Sequence, residues 1–405
     1  MKIEVDTVKG FRDILPPESL KKTEVKKIIE KNFQLYGFVP IETPVIEFDE
    51  IMKSDDAQEE EAISDRFRLR DRAGRNLGLR YEFTFQLARI MKMNPNIKLP
   101  FRRYQIGEVF RDEPVGPGRF RQFTQCDIDI LGDSSLDADQ ECLSAVSDIL
   151  KELRIDAEIE LNNRKLLSSI IESVQITDIK NAMKELDKKD KIGEDNVKIN
   201  LKRYADSNQI LTLFKLMEKP LEFFIENAFD GAEEVEELME KSKQQGIKLK
   251  FNPFMIRGLA YYTGNIFEVK TKENKNTIAG GGRYDKSVGK LLNKEIPAVG
   301  ISFGLERVAE LANIKVNSIP KVIVISIEED KLSIKLTKTL RSSGISCMMM
   351  KNPKEALEYA NSQSIPYVIF LGEDEVEKSK FKLRNLSSGE EKLLGEKSII
   401  ALLKK

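Results

Sequence analysis

The chain has 405 residues, of which 40% are hydrophobic and 33% are charged, and this length favours two or three domains with a sizeable core. The 66 basic and 67 acidic side chains nearly cancel, so the overall charge does not steer the chain toward nucleic acid or a membrane. The sequence contains no histidine, which excludes histidine triads, histidine general bases and histidine-ligated zinc. Any catalysis must therefore use carboxylates, arginines, lysines, tyrosines or a bound metal.

The cysteines and the N-terminal segment indicate a reducing compartment. Cys126, Cys142 and Cys347 are too far apart in sequence for a CxxC motif, which argues against a structural zinc and a disulfide framework. The first residues, MKIEVDTVKGFRD, are charged from the second position and lack the apolar core of a signal peptide. No run approaches the roughly 18 apolar residues that span a bilayer. We expect a cytoplasmic protein without a membrane segment.

Helical and strand-like segments alternate from the start of the sequence to about residue 162. An apolar face that includes Ile29 and Phe33 predicts a helix over residues 20–36. Strand-like runs follow at 39–46, 66–70 and 124–131. In the last run a period of two places Asp127 and Asp129 on the same face of the strand.

The rest of the chain divides into blocks that differ in composition and predicted secondary structure. Residues 163–246 are rich in Lys and Glu and predict a helical insertion with a solvated surface. Strand signals return in 247–318, and from residue 319 strands alternate with helices, which predicts a small parallel α/β domain. We therefore expect one domain built from 1–162 and 247–318, the insertion at 163–246, and a separate domain at 319–405.

A hairpin with converging arginines is the motif that most favours a ligand site. A strand ends at Arg111, a Pro/Gly loop follows, and Arg119 and Arg121 begin the returning strand. Guanidinium groups match phosphate oxygens in charge and geometry, so the pattern indicates phosphate binding; the alternative is a solvated sheet edge guarded by charge. Arg307 lies in the first turn of a helix that follows a strand, which suits a terminal phosphate or ordinary helix capping.

Gly280, Gly281 and Gly282 form the densest glycine cluster of the sequence. The cluster fits neither a Walker A motif nor GxGxxG, because Tyr284 and Asp285 occupy positions that those motifs require to be glycine. Two interpretations are left open. The cluster forms either a tight turn or a strand whose backbone lies close to a ligand.

Two further motifs have a structural and a functional interpretation. Arg257 and the adjacent Tyr261 and Tyr262 stand between glycines, and they either pack in the core or frame a small polar ligand. Glu82 and Thr84 lie on the same side of an extended segment. That pair suits an ammonium group, although an ordinary exposed strand has the same pattern.

In this order the segments resemble histidyl-tRNA synthetase, a class II aminoacyl-tRNA synthetase, over nearly the whole chain. The matching stretches are 9–18 at the family's opening, 36–45 in the motif 1 region, 110–123 as motif 2 and 304–307 as motif 3. Residues 257–264 and 279–285 resemble the two segments specific to the histidine enzyme. Residues 80–84 and 125–129 resemble the archaeal/eukaryotic branch of the family. The sequence departs from the bacterial form at two positions: Ala260 stands where that form has an aspartate, and Asp129 stands where it has a glutamate.

The resemblance implies an α+β class II catalytic domain, with an antiparallel sheet flanked by helices, a helical insertion and a C-terminal α/β anticodon-binding domain. It implies a ligase that activates L-histidine with ATP and Mg²⁺ to histidyl-adenylate and transfers it to the 3′ end of tRNA(His). It also implies a homodimer, no organic cofactor and no protein ligand for the metal. Residues 320–405 carry 15 Lys+Arg and 12 Asp+Glu, an excess of +3 in the direction that tRNA contact requires.

Roles of individual side chains follow from the resemblance. Arg111 and Arg257 are the catalytic residues: Arg111 holds the α-phosphate, and Arg257 bridges that phosphate and the carboxylate of histidine. The other ATP-binding residues are Arg119 and Arg307 at the outer phosphates, Phe120 facing the adenine, and Glu113, Gln122 and Phe123. The other histidine-binding residues are Glu82, Thr84 and Gln125 at the α-ammonium, Asp129 and Tyr262 at the two imidazole nitrogens, and Tyr261, Gly280 and Gly282.

Two other classes of protein compete with this interpretation. One is a catalytically inactive histidine sensor, such as the regulatory subunit of ATP phosphoribosyltransferase; the other is an RNA-binding scaffold that retains the fold. The complete set of Arg111, Arg257 and Arg307 and the anticodon-type domain argue against the sensor. Glu82 and Asp129 argue against the scaffold, because a scaffold has no amino acid to recognise.

Overall fold

Two β-sheets of different construction organise the chain. The computed structural model describes residues 5–52, 65–116, 118–257, 261–273, 276–316, 318–377 and 380–404. The chain divides into two units, Met1–Ile314 and Lys315–Lys405. The sequence placed this division four residues later, before residue 319. Among the described residues no helix is both long enough and apolar enough to cross a membrane.

The first unit begins with α1 (Glu18–Leu35), β1 (Val39–Pro40), β2 (Ile46–Phe48), β3 (Arg68–Arg70), β4 (Asn76–Leu79), α2 (Phe85–Met93), β5 (Phe101–Phe110), β6 (Gln122–Leu131), α3 (Leu136–Glu152) and β7 (Ala157–Asn163). Its middle contains α4 (Arg164–Ser173), α5 (Ile179–Leu186), α6 (Lys189–Ile192), α7 (Glu194–Leu201), α8 (Ser207–Met217), α9 (Leu221–Glu226) and α10 (Ala232–Gln244). It ends with β8 (Leu249–Phe251), β9 (Asn265–Thr271), β10 (Thr277–Arg283), β11 (Ala298–Gly304) and α11 (Leu305–Leu311).

The main sheet has eight strands in the order β1-β5-β6-β11-β10-β9-β7-β8. The six central strands run antiparallel, whereas β1 and β8 pair in parallel with β5 and β7 at the two edges. The sheet is therefore mixed: its six central strands form the antiparallel sheet that the resemblance implies, and each edge adds one parallel pair. A second, three-stranded sheet has the order β2-β4-β3. The predicted continuous strand at 39–46 is instead divided between β1 and β2.

Helix α1 packs on the main sheet through one apolar stripe. Val25, Ile29 and Phe33 recur at a spacing of four residues and are fully buried, as the amphipathic pattern predicts. Gly37, with φ +76°, follows the helix in the left-handed conformation that ends many helices. The observed helix begins two residues before the predicted one and ends one residue earlier.

The helices α4–α10 occupy the chain between β7 and β8, where the sequence predicted the insertion. Their buried residues, such as Ile170, Leu213 and Phe224, belong to the same hydrophobic core as the main sheet. Helix α8 begins with a capping box, in which Asp206 and Gln209 satisfy each other's backbone N–H groups. The insertion is thus packed within the first unit.

The second unit contains β12 (Val322–Ser326), α12 (Asp330–Ser342), β13 (Cys347–Met350), α13 (Pro353–Ser362), β14 (Tyr367–Leu371), α14 (Glu373–Glu377), β15 (Phe381–Asn385), β16 (Glu391–Leu394) and α15 (Glu396–Leu403). Its sheet has the order β13-β12-β14-β15-β16. The first three strands are parallel, as the alternation of strands and helices predicts. The antiparallel strands β15 and β16 were not predicted, although apolar and charged residues alternate in β15 and a Ser/Gly turn follows it.

Gly281 gives a stability prediction for the main sheet. A Cβ atom at Gly281 would stand 2.0 Å from the carbonyl oxygen of Gly300 on the neighbouring strand. We expect Gly281→Ala to lower the free energy of unfolding by about 1–3 kcal/mol, because the two strands would have to separate. Urea unfolding would measure the loss. Gly116→Ala is the control, since among the described residues no atom lies within 4 Å of its added methyl group. Equal losses in both variants would contradict the prediction.

Candidate active site

One face of the main sheet carries a row of five residues, four of them polar, across five strands. The row, in strand order from β5 to β9, is Gln105, Asp127, Ser302, Gly280 and Glu268. The hydroxyl of Ser302 donates to Oδ1 of Asp127 at 2.5 Å, and Nε2 of Gln125 donates to the Ser302 hydroxyl at 3.0 Å. Burial raises the pKa of Asp127 to about 8; Arg103 opposes this rise, and Asp129 adds to it.

The next row on the same face contains a buried ion pair. Arg103 on β5 and Asp129 on β6 are directly opposite in the register, and Arg103 Nη2 lies 2.6 Å from Asp129 Oδ2. The hydroxyl of Tyr284 donates to Oδ1 of the same carboxylate. On the other side of Asp129 stands Gly300, where a Cβ atom would lie 2.1 Å from Oδ1. Both oxygens of Asp129 are therefore held in place.

Glu82 closes one end of this polar face, ahead of helix α2. Its Oε1 accepts from the backbone N–H of Phe85 at 2.5 Å. Burial raises the pKa of Glu82, although hydrogen bonds from Thr84 oppose the shift. Thr84 also bonds to Tyr261, whose ring centroid lies 4.8 Å from that of Tyr262. The carboxylate, the hydroxyl and the two phenols that the sequence singled out thus lie together.

Arg257 lies across Gly280 at the centre of the face. Its Nη1 stands 3.3 Å from Glu268 Oε1, and its side chain hydrogen-bonds to Tyr262. A Cβ atom at Gly280 would be 2.1 Å from Arg257 Nη1, so only glycine leaves room for this guanidinium. The Thr277 hydroxyl donates to the same Glu268 oxygen at 2.8 Å. Of the two interpretations of the glycine cluster, the structure shows the strand, with a side chain lying against its backbone.

Arg111 stands at the end of β5 between two aromatic rings. Its guanidinium lies 4.3 Å from the ring centroid of Tyr81 and 5.1 Å from that of Phe123, and its Nε donates to the Tyr81 carbonyl at 3.3 Å. The hydroxyl of Tyr81 donates in turn to Glu113 at 3.1 Å. These contacts hold Arg111 by its flat faces and leave its charge without a carboxylate partner among the described residues.

Arg307 brings a further positive charge to the same region. Its Nε donates to the Gly118 carbonyl at 3.2 Å and its Nη1 to the Thr277 carbonyl at 2.8 Å. Burial lowers the pKa of Arg307, and the nearby charges of Arg119 and Arg111 lower it further. Cations held close enough to repel one another are suited to binding a polyanion.

Two predicted ATP-binding residues are placed differently from this group. The ring of Phe120 is covered by the guanidinium of Arg12, 4.3 Å from the ring centroid, and Gln122 is exposed on β6. Gly282 lies beside Gly300 in the sheet, one row from Arg257. Ala260, where the sequence departs from the bacterial pattern, lies outside the described residues. Pro117 of the motif 2 loop lies outside them too.

The sequence did not single out several residues that the structure places in this site. Arg103, Tyr284 and Ser302 complete the network around Asp127 and Asp129. The signal for Arg103 was available, because in the strand 101–110 alternation places only one of the two adjacent arginines on the face of Gln105. The register that brings Tyr284 and Ser302 to the same point links residues far apart in sequence, and no local pattern carries it.

Comparisons with known proteins agree with this geometry. The family model described as histidyl-tRNA synthetase matches residues 10–308, and the one described as anticodon binding domain matches residues 321–405. Histidine--tRNA ligase 1 of Bacillus cereus is 36% identical, with 96% of this chain and 95% of that protein aligned. The crystal structure of histidyl-tRNA synthetase from a Nostoc species superposes with a TM-score of 0.86 at 26% identity, covering 100% of this chain and 99% of that one.

A further solved structure is informative about the fold alone. It is described as an ATP phosphoribosyltransferase regulatory subunit/histidyl-tRNA synthetase from Bacillus halodurans. It superposes with a TM-score of 0.75 at 20% identity and covers 90% of this chain and 97% of that one. The regulatory alternative is less well supported than the ligase, because the histidyl-tRNA synthetase family model and the histidine--tRNA ligase of Bacillus cereus match over most of the chain.

The mixed sheet and its arginine-bearing face define the catalytic fold of a class II aminoacyl-tRNA synthetase, joined to an anticodon-binding domain. The chain belongs to the histidyl-tRNA synthetase family. The predictions of the fold class, of a ligase and of tRNA charging with histidine are confirmed. The relatives named above are bacterial, so the comparisons do not confirm the archaeal/eukaryotic branch.

The buried Asp127 predicts a pH dependence of stability. Folding raises its pKa from 3.8 to about 8, so between these values the folded chain keeps a proton that the unfolded chain has lost. Its contribution to stability is full below about pH 4 and is lost as the pH rises through about 8. In the wild type we expect the free energy of unfolding to fall by about 1 kcal/mol per pH unit between pH 5 and 7. In Asp127→Asn this fall should disappear.

Urea unfolding at pH 5, 6, 7 and 8 would measure this slope. Asp195→Asn, at an exposed position of helix α7, is the matched control and should keep the wild-type slope. If the free energy of unfolding changes with pH in the same way in the wild type and in Asp127→Asn, Asp127 does not hold the proton.

Proposed function

We propose that the described face of the main sheet activates histidine with ATP and that its side chains take the roles that the family resemblance assigns. One observation carries this proposal. A chain of contacts runs from Tyr262 through Arg257, Glu268 and Thr277 to Arg307. It joins the predicted imidazole end of the site to the predicted phosphate end, and the proposed bridging residue Arg257 lies between them.

In the proposed reaction an oxygen of the histidine carboxylate attacks the α-phosphorus of ATP. A carboxyl oxygen–phosphorus bond forms, the bond from the α-phosphorus to the β-bridging oxygen breaks, and pyrophosphate leaves with that electron pair. Arg257 holds the attacking carboxylate against the α-phosphate, and Arg111 neutralises charge on that phosphate. Positioning and positive charge are the contributions that phosphoryl chemistry requires of a protein, so a chain without histidine is able to supply them.

The outer phosphates are assigned to Arg119 and Arg307, because the charge of Arg119 is close enough to lower the pKa of Arg307, an effect that the nearby carboxylate of Glu113 opposes. Mg²⁺ is treated as part of the ATP substrate. In the described part of the chain no three or more carboxylates or thiols stand together as metal ligands. We assign Mg²⁺ no protein ligand. Arg12 covers one face of the Phe120 ring and would have to leave it if adenine binds on that face.

The amino acid end of the site reads the substrate by hydrogen bonds. Glu82, Thr84 and Gln125 are assigned to the α-ammonium, and Asp129 and Tyr262 to the two imidazole nitrogens. The burial of Glu82 and Asp129 supports this, since an analogue without the matching polar groups would leave hydrogen-bond acceptor positions of these buried carboxylates unfilled. Residues 80–84 and 125–129, which contribute to this pocket, resemble the archaeal/eukaryotic branch of the family. Membership of that branch stays a prediction.

The second unit is proposed to bind the anticodon of tRNA(His), on the strength of its match to the anticodon-binding model. The helices α4–α10 are proposed to contact the acceptor stem. We also propose a cytoplasmic homodimer. Val39, Ile46 and Phe48, in and next to the motif 1 region, are 48%, 49% and 45% exposed in the single chain, and a second copy would cover them.

Arg257→Gln tests the adenylation site. We expect histidine-dependent exchange of labelled pyrophosphate into ATP to fall about 100-fold or more, because the charge that bridges the carboxylate and the phosphate is lost. Arg203→Gln, at an exposed position beyond helix α7, should leave the exchange unchanged. Unaltered exchange in Arg257→Gln would remove the residue from the mechanism. A wild-type chain that binds histidine and yet shows no exchange would favour the regulatory alternative.

Gly280→Ala provides a test that adds one methyl group and removes no charge. Because the methyl group meets only the mobile end of Arg257, we expect the guanidinium to move and the exchange to fall about tenfold or more. The free energy of unfolding should change by less than about 1 kcal/mol, in contrast to Gly281→Ala, where the new contact is with backbone. The two adjacent variants therefore separate function from stability. A loss of stability without a loss of exchange in Gly280→Ala would contradict the assignment.

A further inference from the structure

Arg103 is the largest side chain that is completely buried in the described chain. A guanidinium group remains protonated in proteins, and burying a charge is costly unless an opposite charge accompanies it. Two of its nitrogens, Nε and Nη1, have no hydrogen-bond acceptor among the described residues. An arginine that only supported the fold would be expected to satisfy more of its donors.

The partner of Arg103 is the carboxylate that the proposed function places beside the imidazole. Arg103 Nη2 lies 2.6 Å from Asp129 Oδ2, and the Tyr284 hydroxyl donates to Oδ1. A carboxylate has about four acceptor positions, so each oxygen keeps one for a ligand N–H. Asp129 is thus an oriented hydrogen-bond acceptor whose charge already has a partner.

Burial raises the pKa of Asp129 itself, and the charge of Arg103 and the hydrogen bond from Tyr284 oppose that rise. Three of the other groups that face the pair are neutral near pH 7. Asp127 on β6 also faces Arg103, but burial raises its pKa to about 8 and it holds a proton. Burial raises the pKa of Tyr284, after β10, and of Cys142, on α3, well above the usual values, so both are neutral. The remaining carboxylate near Arg103 is Glu82, which is assigned to the ammonium of the substrate.

We propose that Arg103 is a specificity-determining positioning residue: it cancels the charge of Asp129, so that the site accepts the substrate as neutral imidazole and rejects imidazolium. This inference rests on the proposed function, because it needs Asp129 at the ring. An uncompensated carboxylate in a buried site would favour a cation, and would admit imidazolium or an alkylammonium side chain. The pair Arg103–Asp129 offers an acceptor without net charge, and a cationic ring would lie close to the buried guanidinium.

The pH dependence of KM for histidine, measured by pyrophosphate exchange at saturating ATP, tests the inference. An imidazole pKa of about 6.5 makes the neutral fraction about tenfold smaller at pH 5.5 than at pH 7.5. The wild-type KM should therefore rise about tenfold over that interval. In Arg103→Gln the unpaired Asp129 should favour imidazolium, so KM should be higher at pH 7.5 and should stay level or fall toward pH 5.5.

Three further variants distinguish charge cancellation from a structural role. Arg103→Lys keeps the charge and should keep the wild-type pH profile. The double variant Arg103→Gln/Asp129→Asn is again uncharged at this position, and its KM should rise toward acid pH as in the wild type. Arg102→Gln removes the neighbouring arginine, which pairs with Glu141 at 2.5 Å on the other face of the strand, and should match the wild type. A structural role alone would change the level of KM but not the direction of its pH dependence.

The outcomes separate the inference from the proposed function. Absence of histidine-dependent exchange in the wild type would overturn the proposed function. Two results would overturn the inference and leave the proposed function standing. In one, the wild type shows exchange but its KM for histidine does not change between pH 7.5 and 5.5. In the other, Arg103→Gln keeps the tenfold rise of KM toward acid pH. If circular dichroism shows that Arg103→Gln does not fold, the double variant and Arg103→Lys decide: a rise toward acid pH supports the inference, and a level profile overturns it.

Discussion

A strip of backbone without side chains is the constraint on which the active face depends. At Gly280 a Cβ atom would stand 2.1 Å from Arg257, and at Gly300 it would stand 2.1 Å from Asp129. At Gly282 it would meet the Asn265 carbonyl oxygen at 2.5 Å. The same absence of side chains thus lets the strands pair closely and gives two charged groups a place to lie on the sheet.

Buried charge is the second theme of the site, and it is organised differently at its two ends. At the end proposed to bind the amino acid, Arg103 and Asp129 form a buried pair. At the end proposed to bind the phosphates, Arg111 and Arg307 are held by aromatic rings and carbonyl oxygens, which leave their charge available. The first arrangement suits recognition of a polar ring without net charge, and the second suits a polyanionic substrate.

Local patterns predicted the parts of this architecture that depend on nearby residues. The arginine hairpin, the glycine cluster and the helix ended by Gly37 are all readable over a few positions. The partnership of Arg103 with Asp129 depends on the register of two strands, and Tyr284 reaches it from far along the chain. Strand alternation selects Arg103 over Arg102 only once the strand and its facing are known. The role proposed for Asp129 comes from the family resemblance and that proposed for Arg103 from the geometry of the pair, and no local pattern indicates either.

The pocket proposed to recognise an imidazole contains none of its own, and neither does the rest of the 405-residue chain. In a complex with histidine every imidazole signal in a magnetic resonance spectrum would come from the ligand. Its ring protons and nitrogens would report tautomer and protonation state directly, against a protein with no side chain of the same kind. The substrate would thus serve as its own spectroscopic label without modification of either partner.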